Sequence, residues 1–330
     1  MAESLSDDEI DDLVRRLEAV DMGAWDRAAV DRAAAELGWR LAPEHRRSIA
    51  DELVFQASFS AGRGFAHSNS SIVRPDDREF ESFGYLLAEG NDREMLTRVF
   101  QKAREAAERR LHPAPIHGGP GPWLRWRRPN SLLEIERTSR DVVLRLRSTQ
   151  VVEDDEYRAC KWGDRDFAVG AIGVWMSVGR HESLEGMMVP GGFDAGTWSE
   201  FQAWLAETLR ALTGDMPCLR DDVVMVLSPG DESDRFVQLT IDEEGLLHLE
   251  AARRPEDVHT LTALGWEVDA PNDVNPSKDF PAPSGQEVNT AAQLLVRTLR
   301  TFGVDLSELR HEAWLTRSDH RLELLGIGVP

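Results

Sequence analysis

Nine histidines and two cysteines are the residues in this 330-residue chain with which metal, redox or nucleophilic chemistry would have to be done. Cys160 and Cys218 are too far apart in sequence to read as a zinc pattern or a disulfide framework. No two histidines share a helix-turn spacing beside a glutamate, as a zinc hydrolase would need. His112 and His117 flank a Pro-Ala-Pro-Ile stretch, and the loop context predicts both at the surface. No Gly-x-Ser-x-Gly elbow offers a serine nucleophile. Gly118-Gly119-Pro120-Gly121-Pro122 places prolines where a phosphate loop needs N–H donors, and Gly62-Arg63-Gly64 lacks the following Lys-Ser/Thr. The acidic pairs Asp154-Asp155, Asp221-Asp222 and Glu243-Glu244 fall at turns and element ends, where carboxylates are expected to be solvated rather than to work as acid and base. No cofactor and no metal follows from these residues. By themselves they name no function, and an enzyme of unrecognised site stays open as an alternative.

Charge narrows the partners. The formal net charge is −21, so the chain would repel the phosphates a nucleic-acid binder must neutralise. Trp123-Leu-Arg-Trp-Arg-Arg does interleave aromatics and cations, as a single-strand platform would. Its strand register argues otherwise. Turns at Pro129-Asn130 and Ser139-Arg140 give a three-strand meander that points Leu124, Trp126, Leu133, Ile135, Val142, Leu144 and Leu146 inward. Glu134 then lies between Arg125 and Arg145 on the outer face, where such pairs contribute roughly 0.2–1 kcal/mol each. Nucleic acid is therefore not an expected partner. A membrane is not expected either, because no apolar run reaches the length of a span. The first residues carry Asp7, Asp8, Glu9, Asp11 and Asp12 without the basic-then-apolar layout of a signal peptide, which predicts a cytoplasmic protein. Nothing in the sequence speaks to oligomeric state.

The clearest structural unit is Asp234–Trp266. Val237, Leu239 and Ile241 alternate with Gln238 and Thr240, and Leu247, Leu249 and Ala251 alternate with His248 and Glu250. A three-residue loop, Glu243-Glu244-Gly245, opposes Ile241 to Leu247, Leu239 to Leu249 and Val237 to Ala251. Gly245 then takes the positive φ that this loop demands. A four-residue loop would put His248 on the core face, and is rejected. Pro255 suits the first turn of a following helix and Gly265 its C-terminal cap.

Elsewhere Ser6 with Glu9, Thr197 with Glu200 and Ser284 with Glu287 predict capped helices with apolar stripes. A further helix is expected over 91–111, and another from Trp25 to Leu37. Leu37-Gly38-Trp39 echoes Leu264-Gly265-Trp266, so an internal repeat and a shared way of leaving a helix both remain open. Strands are expected at Leu53–Phe59, near Ser71, at Phe80–Leu87, at Asp222–Leu227 and at Ala313–Leu315, with a turn at 61–64. Phe167–Val178 reads as an apolar helix or a strand, and the proline-rich Asp269–Ser284 as an extended loop. The organisation is α+β, with an N-terminal domain over 1–185, a Gly-rich linker over 186–196 and a second domain over 197–330.

Several stretches of the second domain resemble a family. Arg235-Phe-Val-Gln-Leu, Leu264-Gly-Trp, Asp279-Phe-Pro-Ala-Pro, the Ala292–Arg300 helix and Leu309–Ala313 are similar, in that order over about residues 197 to 316, to the actinobacterial TY-Chap domains related to type III secretion chaperones and YbjN. Phe236, Leu239 and Phe280 replace residues that the family pattern gives as Tyr, an aromatic and Trp. The first domain resembles a second actinobacterial family without an assigned function, through Gly119–Trp126, Leu132–Leu146, Tyr157 and Trp162-Gly163. The similar order of helices and strands in the two halves, with the Leu-Gly-Trp echo, predicts two tandem modules of antiparallel sheet packed with helices, and the TY-Chap resemblance implies a type III secretion chaperone/YbjN-like fold. It also implies a non-enzymatic, chaperone-like adaptor with a protein or peptide client. The surface it points to is the outer face of the hairpin: Phe236, Gln238, Thr240, His248 and Glu250. An immunity or regulatory protein that inhibits one specific, basic partner is the alternative the acidity suggests.

Overall fold

The computed structural model describes residues 5–42, 52–57, 59, 62–68, 79–162, 164–179, 193–230, 234–254, 256–268, 275–318 and 320–330. The chain divides into two compact units. One comprises Met1–His117 with Gly121–Tyr157, the other Gly118–Pro120 with Arg158–Pro330. Both are α+β.

The first unit contains α1 (Asp7–Glu18), α2 (Arg27–Glu36), β1 (Arg40–Leu41), β2 (Glu52–Gln56), β3 (Arg63–Ser68), β4 (Phe80–Glu89), α3 (Arg93–Arg110), β5 (Ile116–Gly119), β6 (Trp123–Arg127), β7 (Ser131–Arg137) and β8 (Asp141–Ser148). Strand β5 and the helix α4 (Thr149–Trp162) each begin in this unit and end in the other. Strands pair in the order β1-β2-β3-β4-β8-β7-β6, antiparallel throughout. The Ser6–Glu9 capping box closes as expected, and Ile10, Leu13, Val14 and Leu17 are buried where α1 packs on α3. The meander has the predicted register: Leu124 opposes Ile135, which opposes Leu144, and Trp126 opposes Leu133, which opposes Leu146. All are buried.

Glu134 departs from expectation. It does lie between Arg125 and Arg145, but that face is closed: Glu134 is only 1% exposed and Arg125 7%. Arg125 Nε donates to its carboxylate at 2.6 Å and Arg145 Nε at 2.7 Å, with Arg147 Nη1 3.5 Å away. From α4, Glu156 accepts from Arg127 at 2.7 Å and lies 3.6 Å from Arg125. The Arg125 guanidinium also sits 3.8 Å over the Trp123 ring. Gly84 opposes Arg145, and a Cβ there would lie 2.4 Å from the arginine Cβ, so only glycine leaves room. Burial pushes the Glu134 carboxyl up, but Arg145, Arg125 and Arg147 together outweigh it and hold it well below the usual carboxylate range. The modest surface pair is in fact a buried ionic network.

Other first-unit expectations shift locally. Arg63 and Gly64 belong to β3 rather than to a turn, with Gly62 before them at a positive φ of 77°. His117 is not at the surface: it falls in β5 and is 3% exposed, whereas His112 is exposed. The strand expected near Ser71 lies outside the described residues.

The second unit contains α5 (Arg165–Ile172), β9 (Trp175–Gly179), α6 (Trp198–Leu219), β10 (Val223–Ser228), β11 (Val237–Ile241), β12 (Leu247–Ala251), α7 (Val258–Leu264), β13 (Ser277–Phe280), α8 (Gly285–Thr301), β14 (Arg310–Leu315) and β15 (His320–Glu323). The strand order is β9-β15-β14-β10-β11-β12-β13. Phe167–Val178 is thus both of the alternatives it offered, a helix and then a strand, divided at Gly173 with φ 115°. The hairpin forms in the predicted register, with Gly245 at φ 85°. Pro255 lies outside the described residues, and α7 starts at Val258. The proline-rich stretch is not loop throughout, because Ser277–Phe280 pair with β12. Asp221 is not solvated either. It is 5% exposed and accepts the backbone N–H groups of Asp222, Arg317 and Ser318.

The two Leu-Gly-Trp exits share one geometry. Gly38 and Gly265 have positive φ, and each N–H donates to the carbonyl three residues back. The Trp39 and Trp266 N–H groups donate to Ala34 and Leu261, five residues back. Both indoles are buried, and Trp266 Nε1 donates to Thr298 of α8 at 2.9 Å.

Candidate functional site

In the second unit, Val223, Met225, Leu227, Val237, Leu239, Ile241, Leu247 and Leu249 are buried on the sheet face that meets α6 and α8. Period-two alternation sends their neighbours to the opposite face. Pairing sets those neighbours into cross-strand rows. Trp314, Val224, Thr240, His248 and Asp279 form one row from β14 to β13. Glu312, Val226, Gln238, Glu250 and Ser277 form the next.

Four of the residues expected on the hairpin's outer face are therefore on one surface. Gln238, Thr240, His248 and Glu250 are half-buried members of the two rows. Phe236 precedes β11 and is also half-buried, its carbonyl accepting the Ala252 N–H at 2.9 Å. Sequence reasoning missed the most exposed aromatic on this surface. Trp314 is 40% exposed and stands beside Val224 and Val226, which are half-buried. The signal was available: Leu315, Ala313 and His311 point inward in β14, so Trp314, Glu312 and Arg310 must point out.

His248 organises the polar end of the row. Its Nδ1 lies 2.5 Å from Asp279 Oδ1 across the β12–β13 pair, and its Nε2 3.2 Å from Glu250 Oε1 two residues along its own strand. Burial pushes the imidazole down, but the hydrogen bonds to Asp279 and Glu250 outweigh it, so the His248 pKa is raised above the ordinary histidine value. The imidazole is thus held between two carboxylates beside the sheet edge. Among the described residues no group of three or more His, Cys, Asp or Glu could hold a metal ion. The arrangement offers an aromatic, two aliphatic side chains and a hydrogen-bonding edge.

Residues 194–321, which contain this entire face, match a family described as T3SS (YopN, CesT) and YbjN peptide-binding chaperone 3. They carry a TY-Chap3 domain. The TY-Chap3 match extends a few residues beyond the 197 to 316 stretch in which the resemblance was legible. Residues 8–148 match a second family, of unknown function (DUF6301), which ends before Tyr157 and Trp162-Gly163. No curated protein and no solved structure matches the chain. The TY-Chap3 match supports the chaperone-like fold and points to a non-enzymatic role. None of the described helices is long and apolar enough to cross a membrane.

Proposed function

We propose that the protein is a non-enzymatic, peptide-binding adaptor of chaperone type, working in the cytoplasm on a protein or peptide client. The outer face of the TY-Chap3 sheet receives the client. One observation carries this reading: Trp314 is left 40% exposed in a row with Val224 and Thr240, inside a domain of a peptide-binding chaperone family. Large aromatics on an otherwise well-buried domain are the side chains that anchor partners. Phe236, Gln238, Thr240, His248 and Glu250 complete the contact surface, with main-chain bonds at the sheet edge as a second source of affinity. Nucleic acid and membranes are not part of this reading.

The test is a peptide array probed with the full chain, followed by titration of the best peptides by tryptophan fluorescence. Phe236→Glu and Trp314→Glu are expected to abolish binding while leaving the thermal unfolding midpoint within a few degrees. If Phe236→Glu instead unfolds the domain, the face is core and the site is misplaced. The acid surplus, 59 acidic against 38 basic residues, favours a second reading in which one basic partner is inhibited. A single stoichiometric partner whose affinity falls steeply with salt supports inhibition, whereas many clients with weak salt dependence support the adaptor.

A further inference from the structure

The segment Leu324–Pro330 follows β15 and lies beyond the TY-Chap3 match, which ends at 321. It has no regular secondary structure, yet Leu324, Leu325, Ile327 and Val329 are between 1% and 9% exposed. It is held chiefly by its main-chain carbonyls. Arg165 Nε donates to Gly326 at 2.9 Å, the Ala195 N–H to Gly328 at 2.8 Å and the His311 N–H to Pro330 at 2.8 Å. The His311 ring Nδ1 donates to Val329 at 2.8 Å. The donors come from three separate stretches of the unit: α5, the residues before α6, and β14.

The glycines alternate with the apolar side chains for a steric reason. A Cβ on Gly326 would lie 2.9 Å from an Arg165 nitrogen, and one on Gly328 would lie 2.3 Å from the Trp204 ring. Arg165 itself is stacked 4.7 Å from the centroid of that ring and is paired with Glu207 at 2.5 Å, so both walls are fixed. Donors that read main-chain carbonyls, buried alternate side chains and a Trp204 wall that leaves room only for glycine at 328, where φ is also 86°, are features of a site that reads a peptide.

We infer that the groove formed by Arg165, Trp204, Ala195 and His311 is a second peptide-binding site, and that Leu324–Pro330 occupies it as an intramolecular pseudo-ligand. Its external ligand is an apolar segment of another protein with glycine at alternate positions, in the pattern Gly-apolar-Gly-apolar. This site is separate from the outer sheet face, and its test does not depend on that face. A tethered competitor acts at an effective concentration on the order of mM, so a free peptide binding at about 0.1 mM would be held off by about tenfold until the segment is released.

The experiment uses the full chain, Gly328→Val in the full chain, and a labelled, end-blocked peptide Leu-Leu-Gly-Ile-Gly-Val-Pro. Hydrogen exchange is read by mass spectrometry and peptide binding by fluorescence anisotropy. In the wild type, residues 324–330 are expected to exchange faster than the hairpin 237–251, by local opening. In Gly328→Val, only 324–330 should lose protection, and the peptide should bind about tenfold more tightly than to wild type. A peptide carrying the same Gly-to-Val change should not bind. Loss of protection throughout residues 198–330 in the variant would make the segment ordinary core and overturn the inference. So would unchanged protection of 324–330, or a released segment without peptide binding. A wild-type dimer that exchanges this segment, seen by light scattering, would assign the groove to self-association and also overturn it.

Discussion

Replacing Glu134 by Gln keeps the shape of the side chain and removes the charge on which Arg125, Arg145 and Arg147 converge. Both carboxylate oxygens are in use, one for Arg125 and one for Arg145. A Gln carbonyl can serve only one of them, and its amide would face a guanidinium donor with another donor. The loss of one charge-assisted bond costs about 1.5–3 kcal/mol. Removing one partner of a buried ion pair costs about 3–5 kcal/mol, because the remaining charge is stranded. The expected destabilisation is therefore about 2–5 kcal/mol, or roughly 5–15 °C for a unit of this size. Urea and thermal unfolding by tryptophan fluorescence measure it, with hydrogen exchange assigning the loss to β6, β7 and β8. The pH dependence has a definite sign. The folded pKa of Glu134 is depressed, so its contribution is complete above the ordinary glutamate pKa of about 4.3 and is lost as pH falls toward the folded value. The wild type should lose more stability than Glu134→Gln between about pH 4.3 and pH 2. A destabilisation under about 1 kcal/mol, the range of an exposed pair, with parallel acid limbs would refute the reasoning.

Three further outcomes are expected. His248 has a raised pKa, so its clamp on Asp279 and Glu250 is fully present below about pH 6.5 and is lost as pH rises through the folded value. An NMR titration should show the raised midpoint, and Asp279→Asn should bring it down. Gly38→Ala and Gly265→Ala should each cost about 1–2 kcal/mol in urea unfolding, because both are left-handed and a Cβ at either meets nothing closer than 3.8 Å. Gly245→Ala should cost a similar amount, about 1–2 kcal/mol, since its φ of 85° is strained while its Cβ contacts at 3.4 Å are ordinary.

The hairpin was legible because its information is local. Alternation, loop length and one glycine determine the register of 237–251, and each is visible within a few residues. The caps at Ser6, Thr197 and Ser284 are legible for the same reason. What was not legible depends on distant partners. Glu134 looks like a surface residue until α4 closes over it, and α4 itself is obscured by its Glu-Asp-Asp-Glu run, which breaks the apolar stripe. Ser277–Phe280 is a strand only because β12 offers an edge, against the bias of the surrounding prolines. The outer face was half legible. The hairpin residues were found from their own pattern, whereas Trp314 joins them through β10, more than sixty residues away from Thr240 in sequence.

The cross-strand row from Trp314 to Asp279 also sets a length scale. It crosses β14, β10, β11, β12 and β13. Four steps of about 4.8 Å span about 19 Å, which an extended chain covers in about six residues at roughly 3.4 Å each. A segment laid across the strands would therefore have a footprint of about six residues, with its hydrophobic anchor near Trp314 and a carboxylate-lined end near Asp279 and Glu250. On the proposed reading, such a ruler favours short linear motifs over folded surfaces, with the apolar residue of the client at the Trp314 end.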